Sequence, residues 1–229
     1  MGRKTSINDL KRLIKGKNVV VFGAGPSLDE DLEKLLMHGL LNRLVKISAD
    51  GATSALIRRG IIPDVIVTDL DGDVHDISLA NGRGAITVVH AHGDNVDKVL
   101  RFTRTLKNLV GTTQVLPFDD IFNFGGFTDG DRCVFMADEM GAKIIILAGM
   151  DFGERIGRYS GKKSGHIKTK VRKLKIGKKL LEWLARRSKS KLYNLTSHGT
   201  KIKGFKKIEI NYLRDILGDE GDSHKITCN

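Results

Sequence analysis

Acidic residues collect where the apolar runs of this chain end. Val65 to Thr68 leads into Asp69-Leu70-Asp71, Val45 to Ala49 into Asp50-Gly51, and Ile86 to His90 into His92-Gly93-Asp94-Asn95. Residues two apart in an extended segment point to one side, so Asp69 and Asp71 are expected to face one cation. Hard carboxylate oxygens suit Mg²⁺, which keeps its waters and binds substrate phosphates through one or two carboxylates. Asp50 and Asp94 would complete or orient that shell. Taken singly, each acid is better explained by a helix cap or an Asx-turn. Four at successive strand ends favour a site, because crowded carboxylates repel one another unless a cation is bound.

Other polar groups gather at the same ends. Gly23-Ala24-Gly25-Pro26-Ser27-Leu28 begins like a dinucleotide-binding turn but departs from it. Leu28 stands where a third glycine belongs, and Pro26 removes a backbone donor. Ser27 and Glu30 have capping-box spacing. The turn is therefore either a structural corner or a helix N-terminus facing an anion, with Gly23, Gly25 and Ser27 at the phosphate. His90 and His92 flank Ala91, and His-x-His-x-Asp would also suit a transition metal. His90 reads as a strand-end structural residue; His92 stands between that role and substrate contact. Thr128-Asp129-Gly130-Asp131-Arg132 precedes a helix: Asp129 or Asp131 would cap it, or the hydroxyl, the carboxylates and Arg132 would bind a ribose or a metal-phosphate unit. Arg155, Arg158, Lys162 and Lys163 follow another strand end and are placed to neutralise transferring phosphoryl charge.

The elements that must position these groups alternate along the chain. Strands are expected at 18–23, 45–49, 65–68, 86–90, 114–116 and 143–147. Helices are expected at 28–38, 52–59, 95–106 and 131–140. Near-continuous apolar strands separated by helices predict an α/β, doubly wound, mostly parallel sheet with helices on both faces, Rossmann-like. Ligands of such sheets bind at the carboxyl ends of the strands. The 229 residues suffice for one domain: a core over about 18–150, then a basic loop, helix and short strands over 151–217. The helix carries an apolar stripe of Val171, Leu174, Leu180, Leu181 and Leu184. Residues 218–229 read as a flexible tail.

The net charge is +12, and between Lys162 and Lys191 the only acid is Glu182. That charge suits nucleic acid, an anionic membrane or a polyanionic small substrate. Tyr159 and Trp183 stand alone by the basic run rather than interleaving with it, which disfavours a nucleic-acid stacking platform. No apolar run approaches 18 residues and no signal-peptide core follows Met1, so a cytoplasmic protein without a membrane span is expected. Cys133 and Cys228 read as reduced thiols. A homo-oligomer is compatible with the sequence.

Asp50-Gly51-Ala52 and Pro63-Asp64 through Asp71 resemble the ADG…PD-x-x-x-GDxDS signature of thiamine pyrophosphokinases. Thr128-Asp129 with Arg132 resembles that family's TD-x-x-K segment. The wider set is closer to the archaeal MptE-like 6-hydroxymethyl-7,8-dihydropterin diphosphokinases. It comprises GAGPSL from Gly23, HAHGDN from His90, and GMDFG from Gly149 followed by Tyr159-Ser160. The resemblance spans roughly Asn18 to Phe205. It implies transfer of an intact diphosphate from ATP to a reduced pterin with Mg²⁺, in tetrahydromethanopterin- or folate-type coenzyme biosynthesis. Carried over, Asp50, Asp69 and Asp71 would form the metal and phosphate centre. Asp94 and Asp129 would be supporting acids, and Arg132 a phosphate contact. Asn95 and Asn123 are candidates for the pterin. Thr68 and Gly72 replace the Gly and Ser of GDxDS, which argues against thiamine as acceptor. Two rivals are a nucleotide-sugar glycosyltransferase, since similar turns occur in some sialyltransferases, and a basic nucleic-acid-binding protein.

Overall fold

The computed structural model describes residues 5–161 and 167–218. The expected Lys162 and Lys163 of the basic loop, and the tail from residue 219 with Cys228, lie outside the described residues.

Nine strands form one sheet: β1 (Asn18–Phe22), β2 (Val45–Ala49), β3 (Val65–Thr68), β4 (Ile86–Ala91), β5 (Leu109–Thr113), β6 (Ile121–Phe122), β7 (Ile144–Ala148), β8 (Lys191–Asn194) and β9 (Lys206–Lys207). Their order is β6-β5-β4-β3-β2-β1-β7-β8-β9, and every pair of neighbours is parallel. The strand order reverses between β1 and β7. Chain connectivity proceeds outward from β1 in one direction, then returns to β7 on its other side. This is the switch point at which doubly wound sheets open a crevice.

Central strands are buried on both faces, so they lack polar alternation. Val19 and Val21 of β1 pack with Ile47, Val65 and Val67 on one face; Val20 and Phe22 turn to the other. The first face is covered by α1 (Ile7–Ile14), α6 (Asp129–Glu139) and α7 (Ile167–Leu184). The second is covered by α2 (Leu28–Met37), α3 (Ala52–Ile57), α4 (Val74–Gly82) and α8 (Ile210–Gly218). A short α5 (Val96–Phe102) follows β4. Each Leu or Ile wholly withdrawn from water contributes roughly 1.5–3 kcal/mol. Leu32, Ile47, Ile66 and Met136, all 0% exposed, make the two faces the stabilising layers.

Two expectations need correction. The strand expected at 114–116 is instead β5, three to five residues earlier, and Val115 and Leu116 are exposed. Its Val-Gly-Thr-Thr run carries less apolar character than the segment that follows, so hydrophobicity pointed to the wrong stretch. The helix expected over 95–106 is a 3₁₀ turn at Gly93–Asn95, then α5, then a second 3₁₀ turn at Thr103–Thr105. The basic C-terminal extension joins the main sheet, because β8 pairs with β7 and β9 with β8.

Candidate active site

The path from strand end to site begins at Thr68, the last residue of β3. Its hydroxyl donates to Asp50 Oδ1 and accepts the Leu70 N–H at 2.8 Å. Leu70 adopts φ +66° and is 1% exposed, so its side chain enters the core while the backbone reverses. That reversal overturns the geometric premise for Asp69 and Asp71. The segment is not extended, and the two carboxylates do not share a side by strand alternation. Asp69 Oδ1 instead accepts the Asp71 N–H at 3.1 Å, while Asp71 projects outward and pairs with Lys98.

Asp69 groups with other acids. One carboxylate oxygen each from Asp50, Asp69 and Asp129 lies within 4.8 Å of the others. Asp50 comes from the end of β2, Asp69 from the end of β3, and Asp129 from the first turn of α6. This helix follows the far edge strand β6 yet packs across β1, β2, β3 and β7, which carries Asp129 to the centre of the sheet. Asp131 makes that placement possible. It is 0% exposed and accepts from the Phe127 and Thr128 N–H groups, completing a capping box with Thr128. Asp131 therefore serves the helix terminus, and Asp129 is left to the acid group.

The electrostatics match the crowding. Burial, then the charges of Asp69 and Asp50, push Asp129 well above the usual carboxylate range. Asp50 is raised to about 6, chiefly by burial and further by Asp69 and Asp71, against the Thr68 hydrogen bond. Three oxygens of hard, partly buried carboxylates that repel one another fit a divalent cation of the Mg²⁺ kind. Gly72 approaches so closely that a Cβ there would lie 2.8 Å from Asp50 Oδ2. Thr68 and Gly72, the two departures from the thiamine-enzyme signature, thus both shape the surroundings of Asp50. A second trio, Asp73, His75 and Asp76, lies at the surface, where Asp73 caps α4.

Two lysines unanticipated from sequence flank the acids. Lys98 of α5 pairs with Asp71. Lys170 of α7 donates to the Ser160 and Gly161 carbonyls, and feels the charges of Asp71 and Asp50 while burial lowers its pKa. Nothing in a lysine-rich helix distinguishes the residue that reaches towards the acids. Arg158, expected at the phosphate, pairs with Asp29 at 2.9 Å and donates to Tyr159 Oη, over the α2–α3 side. Arg155 is exposed in the same loop.

The first turn also differs from its expected role. The Gly23 and Gly25 N–H groups donate to the Ala148 and Gly149 carbonyls, so they are not turned to a phosphate. A Cβ on Gly25 would fall 2.1 Å from Asp151 Oδ2. Ser27 does not cap α2 through a box with Glu30; its N–H and hydroxyl both donate to Asp151, and its Oγ accepts the His198 N–H. A carboxylate of the chain itself thus occupies the N-terminus of α2, where the helix dipole favours negative charge. Asp31 makes the neighbouring tie, accepting from the Gly149 N–H, the Ser197 N–H and the Ser197 hydroxyl.

At the end of β4, Asn95 is 3% exposed and its amide is fully engaged. Nδ2 donates to the Asp69 and His90 carbonyls, both at 2.8 Å, and Oδ1 accepts the His92 N–H. Expected at the substrate, Asn95 positions Asp69 instead. His92 Nε2 stands 3.8 Å from Asp69 Oδ2. Asp94 is exposed and outside the acid group, with its N–H donated to His92 Nδ1. Asn123 is exposed and donates to the Val115 carbonyl. Arg132 is 2% exposed, with Nη1 on the Gly125 carbonyl. Two surface hollows, one beside Leu35 and Ile62 and one beside Leu13 and Asp64, lie near the opposite ends of the strands and hold none of these groups.

Fold and site define a doubly wound α/β protein with an acidic centre at the carboxyl ends of its strands. The chain belongs to the 6-hydroxymethylpterin diphosphokinase MptE-like family of enzymes, whose profile matches residues 1–157. A 6-hydroxymethyl-7,8-dihydropterin pyrophosphokinase of Pyrococcus furiosus is 48% identical over 188 residues, 80% of this chain and 78% of that protein. The protein of the same description from Methanothermobacter thermautotrophicus is 47% identical over 178 residues, 76% of each chain. Among solved structures, the MAf glycosyltransferase of Magnetospirillum magneticum superposes with a TM-score of 0.57 at 17% identity. That match covers 90% of this chain but 36% of the glycosyltransferase, and shows the fold alone. Among the described residues, no helix is long and apolar enough to cross a membrane.

Proposed function

We propose that this enzyme transfers the terminal diphosphate of ATP to the hydroxymethyl group of 6-hydroxymethyl-7,8-dihydropterin, releasing AMP and the pterin diphosphate. The observation that carries this reading is the Asp50, Asp69 and Asp129 group at the strand ends, in a chain whose relatives bear that description. Asp69 and Asp129, with Asp50 beside them, would hold Mg²⁺. When bound, that ion supplies Lewis-acid stabilisation of charge on the phosphate oxygens.

The chain's own residues do the rest. Asn95 fixes Asp69 through its backbone, and Thr68 fixes Asp50 through Oδ1. Lys98 and Lys170 place positive charge beside the acids, where a triphosphate adds negative charge that must be offset. The pterin hydroxyl attacks the β-phosphorus, forming a new O–P bond as the bridging bond to the α-phosphate breaks. Its proton passes to Asp50, and AMP leaves with the bond electrons. Asp71 stands beside this centre and orients Lys98. We place the product in reduced-pterin coenzyme synthesis, since a diphosphate makes the methylene carbon a good electrophile for a later coupling step.

The test is incubation of the purified enzyme with ATP, MgCl₂ and the reduced hydroxymethylpterin, followed by chromatography for AMP and pterin diphosphate. Equimolar AMP and pterin diphosphate are expected. ADP with a pterin monophosphate, or no product from folded enzyme, would overturn the proposal.

A further inference from the structure

Among the described residues, three buried polar atoms lack a hydrogen-bond partner on the sheet face covered by α6: His90 Nδ1, Thr112 Oγ1 and Arg132 Nε. Native interiors pair nearly all such groups, so a cluster of exceptions calls for a cause. These three are neighbours. His90 and Thr112 are directly opposed in the β4–β5 ladder, and strand alternation puts them on the same face as Val88 and Val110. Arg132 is close enough to both His90 and Asp69 for its charge to act on each.

The cluster also adjoins the acid group. The His90 and His92 rings lie 5.7 Å apart between centroids, and His92 Nε2 is 3.8 Å from Asp69 Oδ2. Asn95 binds the backbones of Asp69 and His90 together. Phe122, opposite Thr112 in the β5–β6 ladder, stacks on Phe124 at 6.0 Å with 10° between rings, which adds a flat apolar wall. Arg132 Nε is a fixed donor, while a hydroxyl and a neutral imidazole each donate or accept. That mixture complements a planar lactam, in which a carbonyl acceptor adjoins an N–H donor.

We infer that His90, Thr112 and Arg132 form the recognition edge for the acceptor's lactam ring, holding it beside Asp69 so that the hydroxymethyl arm reaches the acids. This rests on the function proposed above. The three atoms are closed to solvent, so the ring enters when the segment covering Arg132 shifts. Gly125 and Gly126, both left-handed at φ +83° and +82°, form that segment, and a Cβ on Gly126 would meet Arg132 Cα at 2.7 Å.

The decisive variant is Thr112→Val, which removes a hydroxyl at nearly constant shape. An orphaned hydroxyl without a ligand would be lost with no kinetic effect. The inference expects KM for the reduced pterin to rise about tenfold, the loss of one hydrogen bond, with KM for ATP within about twofold of wild type. Arg132→Lys, checked for folding by circular dichroism, should raise the pterin KM further and again spare ATP. An unchanged pterin KM in Thr112→Val, or equal rises for both substrates, would overturn the subsite while the wild-type reaction stands. Absence of pterin diphosphate with the wild-type enzyme would instead overturn the function, and the subsite with it.

Discussion

At the scale of single residues, the acid group sets the sharpest expectations. Asp129 sits among like charges in a partly buried place, so Asp129→Asn relieves repulsion. It should raise Tm without metal by about 2–4 °C, the usual yield of roughly 1 kcal/mol in a chain this size. The same change should lower kcat by at least about a hundredfold. Millimolar Mg²⁺ should raise the Tm of the wild type but not of this variant, as thermal scanning would detect. Asp71→Asn should cost far less activity, since Asp71 pairs with Lys98 outside the trio. His90 gives a pH signature. Burial, then the charge of Arg132, lowers its pKa from 6.5 to about 4, so the unfolded chain binds the extra proton between those values. Stability is therefore full above pH 6.5 and is lost as pH falls towards 4, by on the order of 3 kcal/mol. Urea titrations across that range should show the slope, and His90→Gln should remove it.

At the scale of elements, the parallel sheet is joined at its switch point by side chains rather than by ladder hydrogen bonds alone. Asp31 on α2 receives three donors from the segments after β7 and β8, and Asp151 receives two from Ser27. Asp31→Ala would leave the buried Gly149 N–H and the half-buried Ser197 N–H without their acceptor. A loss of about 3 kcal/mol is expected, read as a lower urea midpoint with faster amide exchange at Ser197 and Gly149. The GAGPSL and GMDFG motifs are thus two halves of one joint. Its glycines allow the backbones to meet, and its polar residues fasten them.

At the scale of the whole molecule, the +12 charge lies beside a centre made of acids. Long-range attraction of a polyanionic nucleotide by this field is screened within roughly 10 Å at 0.1 M salt. KM for ATP should rise several-fold between 50 and 300 mM NaCl, with little change in kcat. Steady-state kinetics at the two salt concentrations tests this. A nucleic-acid-binding role would instead show tight, steeply salt-dependent retention of RNA or DNA.

Much of this was legible in the residues themselves. Runs such as Asn-Val-Val-Val-Phe and Ile-Ile-Ile-Leu-Ala determine buried parallel strands, because both their faces must leave water. Strand ends rich in Asp, His and Gly mark the carboxyl ends of the strands as the place of the candidate site. Local patterns stop there. The φ of Leu70 turns Asp71 away from Asp69, a choice set by the core that buries the Leu70 side chain. The path of α6 from β6 back across the sheet brings Asp129 beside residues 60 and 79 positions earlier in the chain. The interior ties of Ser27 and Asn95, and the reach of Lys170 towards the acids, likewise depend on partners distant in sequence. Periodicity fixes which residues are buried, but only packing decides which buried polar groups meet.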